Sequence, residues 1–177
     1  MFNKIIVALD LTENYTHLFD KALSLARATG AELNLVSVFT PRYDYGTSFR
    51  YYPSSAGYAA ALDDGYWDTY QQEYTILKEA GFRTLSGLSN QAKAKGIQTE
   101  FFQMNGEPGT AICDLADTEK ADLVIVGSHG RRGLEEFLMG SVSSYVVHRA
   151  PCSVMVVHHK LAQTEHLSEK MVETSAA

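Results

Sequence analysis

The chain has 177 residues with a hydrophobic share of 45% and a formal net charge of −6. This length suits a single domain with a substantial core, and the negative balance gives no general attraction to nucleic acid or to an anionic membrane surface. No stretch approaches the roughly 20 apolar residues that cross a bilayer, and Asp10 and Glu13 stand where a secretory signal would carry its small-residue cleavage site, so the expectation is a cytoplasmic protein with neither a membrane nor a nucleic-acid partner.

The first strand is read at residues 4–9, "KIIVAL", a continuous apolar run of the kind seen when both faces of a strand are covered. Thr12 or Asn14 can cap the helix that follows. In it Leu18, Ala22, Leu25 and Ala26 recur at helical spacing, and Gly30 ends it in the usual C-terminal position. "ELNLVSVF", residues 32–39, is the second strand. Residues 40–64 then form a long connection with five tyrosines and little periodicity; connections of that length are commonly functional or mobile, and the plain reading is an excursion whose tyrosines patch nearby apolar surface.

A second helix falls within 65–95, with Tyr70, Tyr74 and Leu77 on one face, then Leu85, Leu88 and Ala92, and with Gly81 marking a candidate kink. "IQTEFFQM", 97–104, reads as the third strand, and 108–120 as a short helix with Pro108 near its first turn. "ADLVIV", 121–126, is the fourth strand; 141–149 is helical, Pro151 breaks that helix, and "CSVMVVH", 152–158, is the fifth strand. No internal repeat is found. The domain is placed at 1–158, followed by a polar tail at 159–177 that is expected to fray.

Strands alternating with helices imply parallel strands joined by right-handed crossovers, hence a sheet with helices on both faces. Ligands of such sheets sit beyond the carboxyl ends of the strands, where the strand order reverses. The positions to watch are therefore Asp10 after strand one, Val38 near the end of strand two and Gly127 at the end of strand four. Cys113 and Cys152 lie in apolar runs and read as buried, reduced thiols rather than a disulfide framework. His158, His159 and His166 have no companion ligand at a recognisable metal spacing, so no metal site is expected.

The stretch "VIVGSHGRRGLEEFLMGSV", residues 124–142, carries the chemistry. Backbone N–H groups at a strand-to-helix turn bind phosphate because the helix start leaves its donors unpaired and carries partial positive charge. Gly127 and Gly130 have no side chain to obstruct a phosphate. Gly140 and Ser141 open the next helix with main-chain donors and a hydroxyl. Arg131 and Arg132 can neutralise a polyphosphate.

Gly127, Gly130, Gly140 and Ser141 form the pattern G-x2-G-x9-G-(S/T), and on it, together with "KIIVALD" and "APCSVMVV", the chain resembles the ATP-binding members of the universal stress protein family over about residues 3–157. The resemblance implies an open five-stranded parallel α/β sheet of Rossmann-like type, strand order 3-2-1-4-5, with its switch between strands one and four. It implies that Ala8 and Asp10 meet the nucleoside and the ribose hydroxyls, that the main chain of Val38 reads the adenine edge, and that Val126 lies beside the base or ribose. By the same likeness Gly127, Gly130, Gly140, Ser141 and Val142 form the phosphate cradle, with Ser143 assisting, while Arg131 is assigned there on its charge. Mg²⁺ or Mn²⁺ would bridge the phosphates without a protein cage of their own. Two departures stand out: Leu11 and Thr12 follow Asp10 where serine is common, although Thr12 keeps a hydroxyl, and the 40–64 connection is longer and richer in tyrosine than usual.

The functional expectation is an ATP-binding regulatory module whose occupancy an unidentified partner protein reads in a stress response. The alternative is a slow ATP hydrolase or a nucleotidyl-transfer enzyme of the related adenine-nucleotide hydrolases. Hydrolysis needs a positioned water, usually with a base, and stabilisation of developing charge. The Gly-Lys-Ser/Thr of the Walker loop is absent, as is a Ser-Gly-Gly loop after strand one, where the chain reads "ALDLTEN". His129 reads as a turn histidine bonded to local backbone, and Glu135 and Glu136 as solvated helix charges. No catalytic residue is assigned. The resemblance puts strand five at the sheet edge, and its apolar residues (Val154 and Val156 one way, Met155 and Val157 the other) predict a homodimer through residues 152–158.

Overall fold

A computed structural model describes residues 1–40, 64–128 and 139–158. The five apolar runs become strands β1 (Lys4–Ala8), β2 (Glu32–Phe39), β3 (Thr99–Asn105), β4 (Leu123–Gly127) and β5 (Ser153–Val157). Among the described residues four helices connect them: α1 (Thr16–Thr29), α2 (Asp64–Ala94), α3 (Pro108–Thr118) and α4 (Ser141–Arg149). All pairs are parallel and the sheet order is β3-β2-β1-β4-β5. Every crossover is thus helical, as parallel pairing demands. The long connection at 40–64 lies, but for Thr40 and the backbone of Asp64, outside the described residues, as does the tail at 159–177.

Alternation along each strand sorts the core into two layers. Ile5, Val7, Leu33, Leu35, Leu123 and Ile125 face α1 and α2, where Phe19, Ala22, Leu85 and Ala92 meet them. Ile6, Val36, Val124 and Val126 face α3 and α4, where Ile112, Leu115 and Val146 close over them. Burying each large aliphatic side chain of this kind contributes roughly 1.5–3 kcal/mol. Asn34 interrupts the second layer: it is fully buried in β2 and donates from Nδ2 to Glu119 Oε2 over 3.4 Å. Glu119 also holds the Lys4 ammonium at 2.9 Å, and that contact raises the Lys4 pKa above its ordinary value.

Several local expectations are corrected. The residue before α1 is Tyr15, whose side chain makes no cap bond. Asn14 supplies the cap from one residue earlier, its Oδ1 accepting the N–H of Thr16 at 3.3 Å and the Thr16 hydroxyl at 2.6 Å. Gly30 ends α1 as expected, in the left-handed region at φ 71°. α2 runs unbroken through Gly81, which instead marks a close approach: a Cβ there would stand 2.5 Å from Gln103 Nε2. Leu77 is 54% exposed rather than on the core face. Tyr74 does face inward, edge-on to Phe39 at 5.5 Å between centroids with its hydroxyl 3.1 Å from Asn105 Oδ1; the side chain of Tyr70 lies outside the described set. Cys113 and Cys152 are free thiols, half-buried rather than buried. Among the described residues no helix is long and apolar enough to cross a membrane.

Candidate functional site

The chain adds strands in one direction, from β1 to β2 to β3, then returns past β1 to place β4 and β5 on the other side. The reversal falls between β1 and β4, so the two connections leaving their carboxyl ends diverge and open a crevice there. Asp10 and Gly127 sit at those ends.

On the β1 side, Ala8 is half-buried opposite Val36, and the N–H of Leu9 extends the pairing to the Val36 carbonyl at 2.8 Å. The chain then turns sharply, with the Asp10 carbonyl accepting the Glu13 N–H at 3.2 Å. The exposed Asp10 carboxylate folds back on this turn: its Oδ1 accepts the Thr12 N–H at 2.9 Å and the Thr12 hydroxyl at 2.6 Å. Aspartate favours such a turn because its short side chain reaches the backbone two residues on.

On the β4 side, Val126 is buried, Gly127 is half-buried, and the next residue, Ser128, is buried. The Ser128 N–H donates to the Val157 carbonyl at 2.9 Å, and its carbonyl accepts the Gly140 N–H at 2.8 Å. Ser128 therefore ties β4 to β5 and to the start of α4. Ser143 adds a second tie by donating its hydroxyl to the Gly127 carbonyl. Sequence reasoning passed over Ser128; its signal was its place immediately after the strand, inside the glycine stretch.

Gly140 precedes α4 with φ −58° and ψ 156°, and no side chain caps the helix. The first intrahelical bond runs from the Ser144 N–H to the Gly140 carbonyl at 2.9 Å. The N–H groups of Ser141, Val142 and Ser143 precede it, and the first turn contains no acidic residue to offset the positive end of the helix. Nor does packing against the described residues require glycine at 127, where among them a Cβ would meet only Leu18 Cδ2, at 3.9 Å. The donors, the open carboxylate oxygen and the small residue suit an anionic ligand that also bears hydroxyls.

Ala8, Val38, Val126 and Val142 all contribute to the apolar layer on the α3–α4 face, Val38 being half-buried opposite Met104. The structure thus brings together Ala8, Asp10, Val126, Gly127, Gly140, Ser141, Val142 and Ser143, with Val38 on the neighbouring strand. Gly130 and Arg131 lie outside the described residues, as do His129, Arg132, Glu135 and Glu136. Burial raises the pKa of both the Cys113 and the Cys152 thiol, which opposes a role as nucleophile or redox centre at neutral pH. Among the described residues no group of three or more His, Cys, Asp or Glu side chains is arranged to hold a metal ion. A groove lined by Thr75, Lys78, Phe82, Arg83 and Gln103 opens between α2 and β3 and includes none of the candidate residues.

Residues 1–158 match the sequence profile of the Universal stress protein family. A universal stress protein of Synechocystis, Sll1388, is 34% identical over 158 residues, covering 89% of this chain and 99% of its own. YxiE, a universal stress protein of Bacillus subtilis, is 32% identical over 157 residues with the same coverage of 89% and 99%. Among solved structures, hypothetical protein MJ0577 superposes with a TM-score of 0.68 at 20% identity, covering 92% of this chain and 99% of its own. An Arabidopsis thaliana family protein with AMP bound gives 0.55 at 21% identity, over 92% and 95% of the two chains. The Archaeoglobus fulgidus universal stress protein in complex with dAMP gives 0.55 at 20% identity, over 87% and 96%.

Proposed function

The chain belongs to the universal stress protein family, and on that premise we propose that it binds an adenine nucleotide, ATP foremost, at the crevice above β1 and β4, as a nucleotide-dependent regulatory module in stress response. The observation that carries this reading is that Asp10 and the uncapped start of α4 follow the carboxyl ends of the paired strands β1 and β4, at the switch point. A carboxylate pairs with sugar hydroxyls, and a bare helix start pairs with phosphate. Gly127, Gly140, Ser141, Val142 and Ser143 would hold the phosphates, assisted by Gly130 and Arg131. Ala8, Val38 and Val126 would border the nucleoside. Mg²⁺ or Mn²⁺ would enter with the phosphates rather than on a dedicated protein site. AMP and dAMP bound to two structural neighbours add weight to the adenosine half of the ligand.

In the same reading the chain pairs with a second copy through β5, and a partner protein reads nucleotide occupancy. Mass spectrometry of small molecules released from the purified full chain tests the binding reading. An adenine nucleotide at near-stoichiometric amount is the expected result. Absence of any adenine compound, together with no calorimetric binding of ATP or AMP, would overturn it.

A further inference from the structure

We propose that Thr12 sets the sugar specificity of this site, an inference that rests on the nucleotide-binding reading above. An ionised carboxylate offers about four acceptor positions, two on each oxygen. Thr12 fills both positions on Asp10 Oδ1, with its N–H at 2.9 Å and its hydroxyl at 2.6 Å. Among the described residues no hydrogen bond reaches Oδ2. The backbone turn closed by the Glu13 N–H on the Asp10 carbonyl at 3.2 Å holds the two residues in this relation. Asp10 is exposed, so its remaining acceptor capacity is open to a ligand.

A ribose presents two neighbouring hydroxyls, and two donors grip a carboxylate best as a fork, one on each oxygen. Thr12 closes the fork, because Oδ1 has no position left. Only Oδ2 can receive the sugar, so the two ribose hydroxyls must share one oxygen instead of taking one each, and the second gains less there than in a fork. The wild-type site therefore distinguishes ribonucleotides from 2′-deoxyribonucleotides weakly. Thr12→Val keeps the branched shape and the backbone N–H but removes the hydroxyl. It reopens one position on Oδ1, restores the fork, and makes the 2′-hydroxyl count.

The experiment is calorimetric titration of the full chain with ATP and with 2′-deoxy-ATP, in wild type, Thr12→Val and Thr12→Ser. Wild type should prefer ATP by no more than about five-fold, and Thr12→Val should widen that preference by about ten-fold, the size of one charge-assisted hydrogen bond. Thr12→Ser should behave as wild type. A gain in discrimination is a result that loosened packing does not produce. An unchanged or smaller preference in Thr12→Val overturns the inference while leaving the binding reading intact. So does a large preference in wild type, or loss of both ligands in Thr12→Val. If wild type binds neither nucleotide, the binding reading itself falls, and the inference with it.

Discussion

The hydroxyl of Ser143 donates a hydrogen bond to the carbonyl oxygen of Gly127, so the first turn of α4 is fastened to the last residue of β4. The backbone bond from Gly140 to Ser128, at 2.8 Å, fixes the same junction from the other side of the turn. Two bonds thus hold the helix start in place without spending the N–H groups of Ser141 and Val142. In the proposed function, this junction preorganises the helix start for the phosphates.

Gly140→Val should abolish nucleotide binding, and Gly130→Val should do the same. Gly140 has a negative φ of −58°, which any residue can adopt, so the variant should fold while its branched side chain crowds the approach to α4. Calorimetry with ATP, with circular dichroism to confirm folding, checks this. Unchanged affinity in both variants would remove the phosphate cradle from these residues.

Asp10→Ala should weaken ligands that contain a sugar by roughly ten-fold or more, the scale of a hydrogen bond to a charged group, and leave inorganic triphosphate unaffected. The Thr12 N–H and hydroxyl lose their acceptor, but both belong to an exposed residue and can turn to water. Equal losses for ATP and triphosphate would argue against contact between Asp10 and the ribose.

Val156→Lys should convert a dimer into monomers, read by light scattering at high micromolar concentration. Among the described residues β5 is an edge strand paired only with β4, and it carries no charged residue from Ser153 to Val157. Exposed Met155 on β5 adds to its apolar surface. Edge strands that stay unpaired usually carry a charge for that purpose. Wild type remaining monomeric would rule this interface out.

Acid should destabilise the fold partly through Asp122. Its Oδ2 accepts the N–H groups of Asn3 at 2.7 Å and Lys4 at 2.9 Å, bonds that hold its pKa below the ordinary 3.8. The folded value lies below the unfolded one, so this stabilisation is complete above the unfolded value and is lost as pH falls through the folded value. Asp122→Asn should therefore lose less stability than wild type when urea melts at pH 6 and pH 3 (about those values) are compared. An identical decline in both would exclude the contribution.

The sheet was legible because each strand is a mostly apolar or alternating run between turn residues, and Asp10 and Gly127 were legible because each directly ends one. Strand order was not in the pattern of the residues; it came with the family likeness. Where two elements touch, local pattern failed. Gly109 has no conformational need to be glycine, yet a Cβ there would stand 2.7 Å from the Tyr145 ring of α4, so only the packed helices explain it. Leu77 keeps helical spacing with Tyr74, but exposed Leu77 and half-buried Tyr74 differ because the sheet lies under one flank of α2 alone. The Thr12–Asp10 bonds depend on a turn geometry that residue types permit without requiring it.

Asn34 has a consequence for how the sheet is assembled. Strands that are apolar on both faces have little in their own pattern to fix alignment, because a shift by one residue exchanges one apolar face for another. Asn34 breaks that degeneracy: it stands beside Ile6 of β1 and Glu100 of β3, with its amide on Glu119 at the end of α3. A one-residue slip of β2 would turn the amide toward the α1–α2 layer, away from Glu119, and leave its NH2 as unpaired as its buried oxygen already is, at a cost of about 1–3 kcal/mol. This buried amide thereby acts as a proofreading mark, tolerated in the correct alignment and penalised in its nearest competitor.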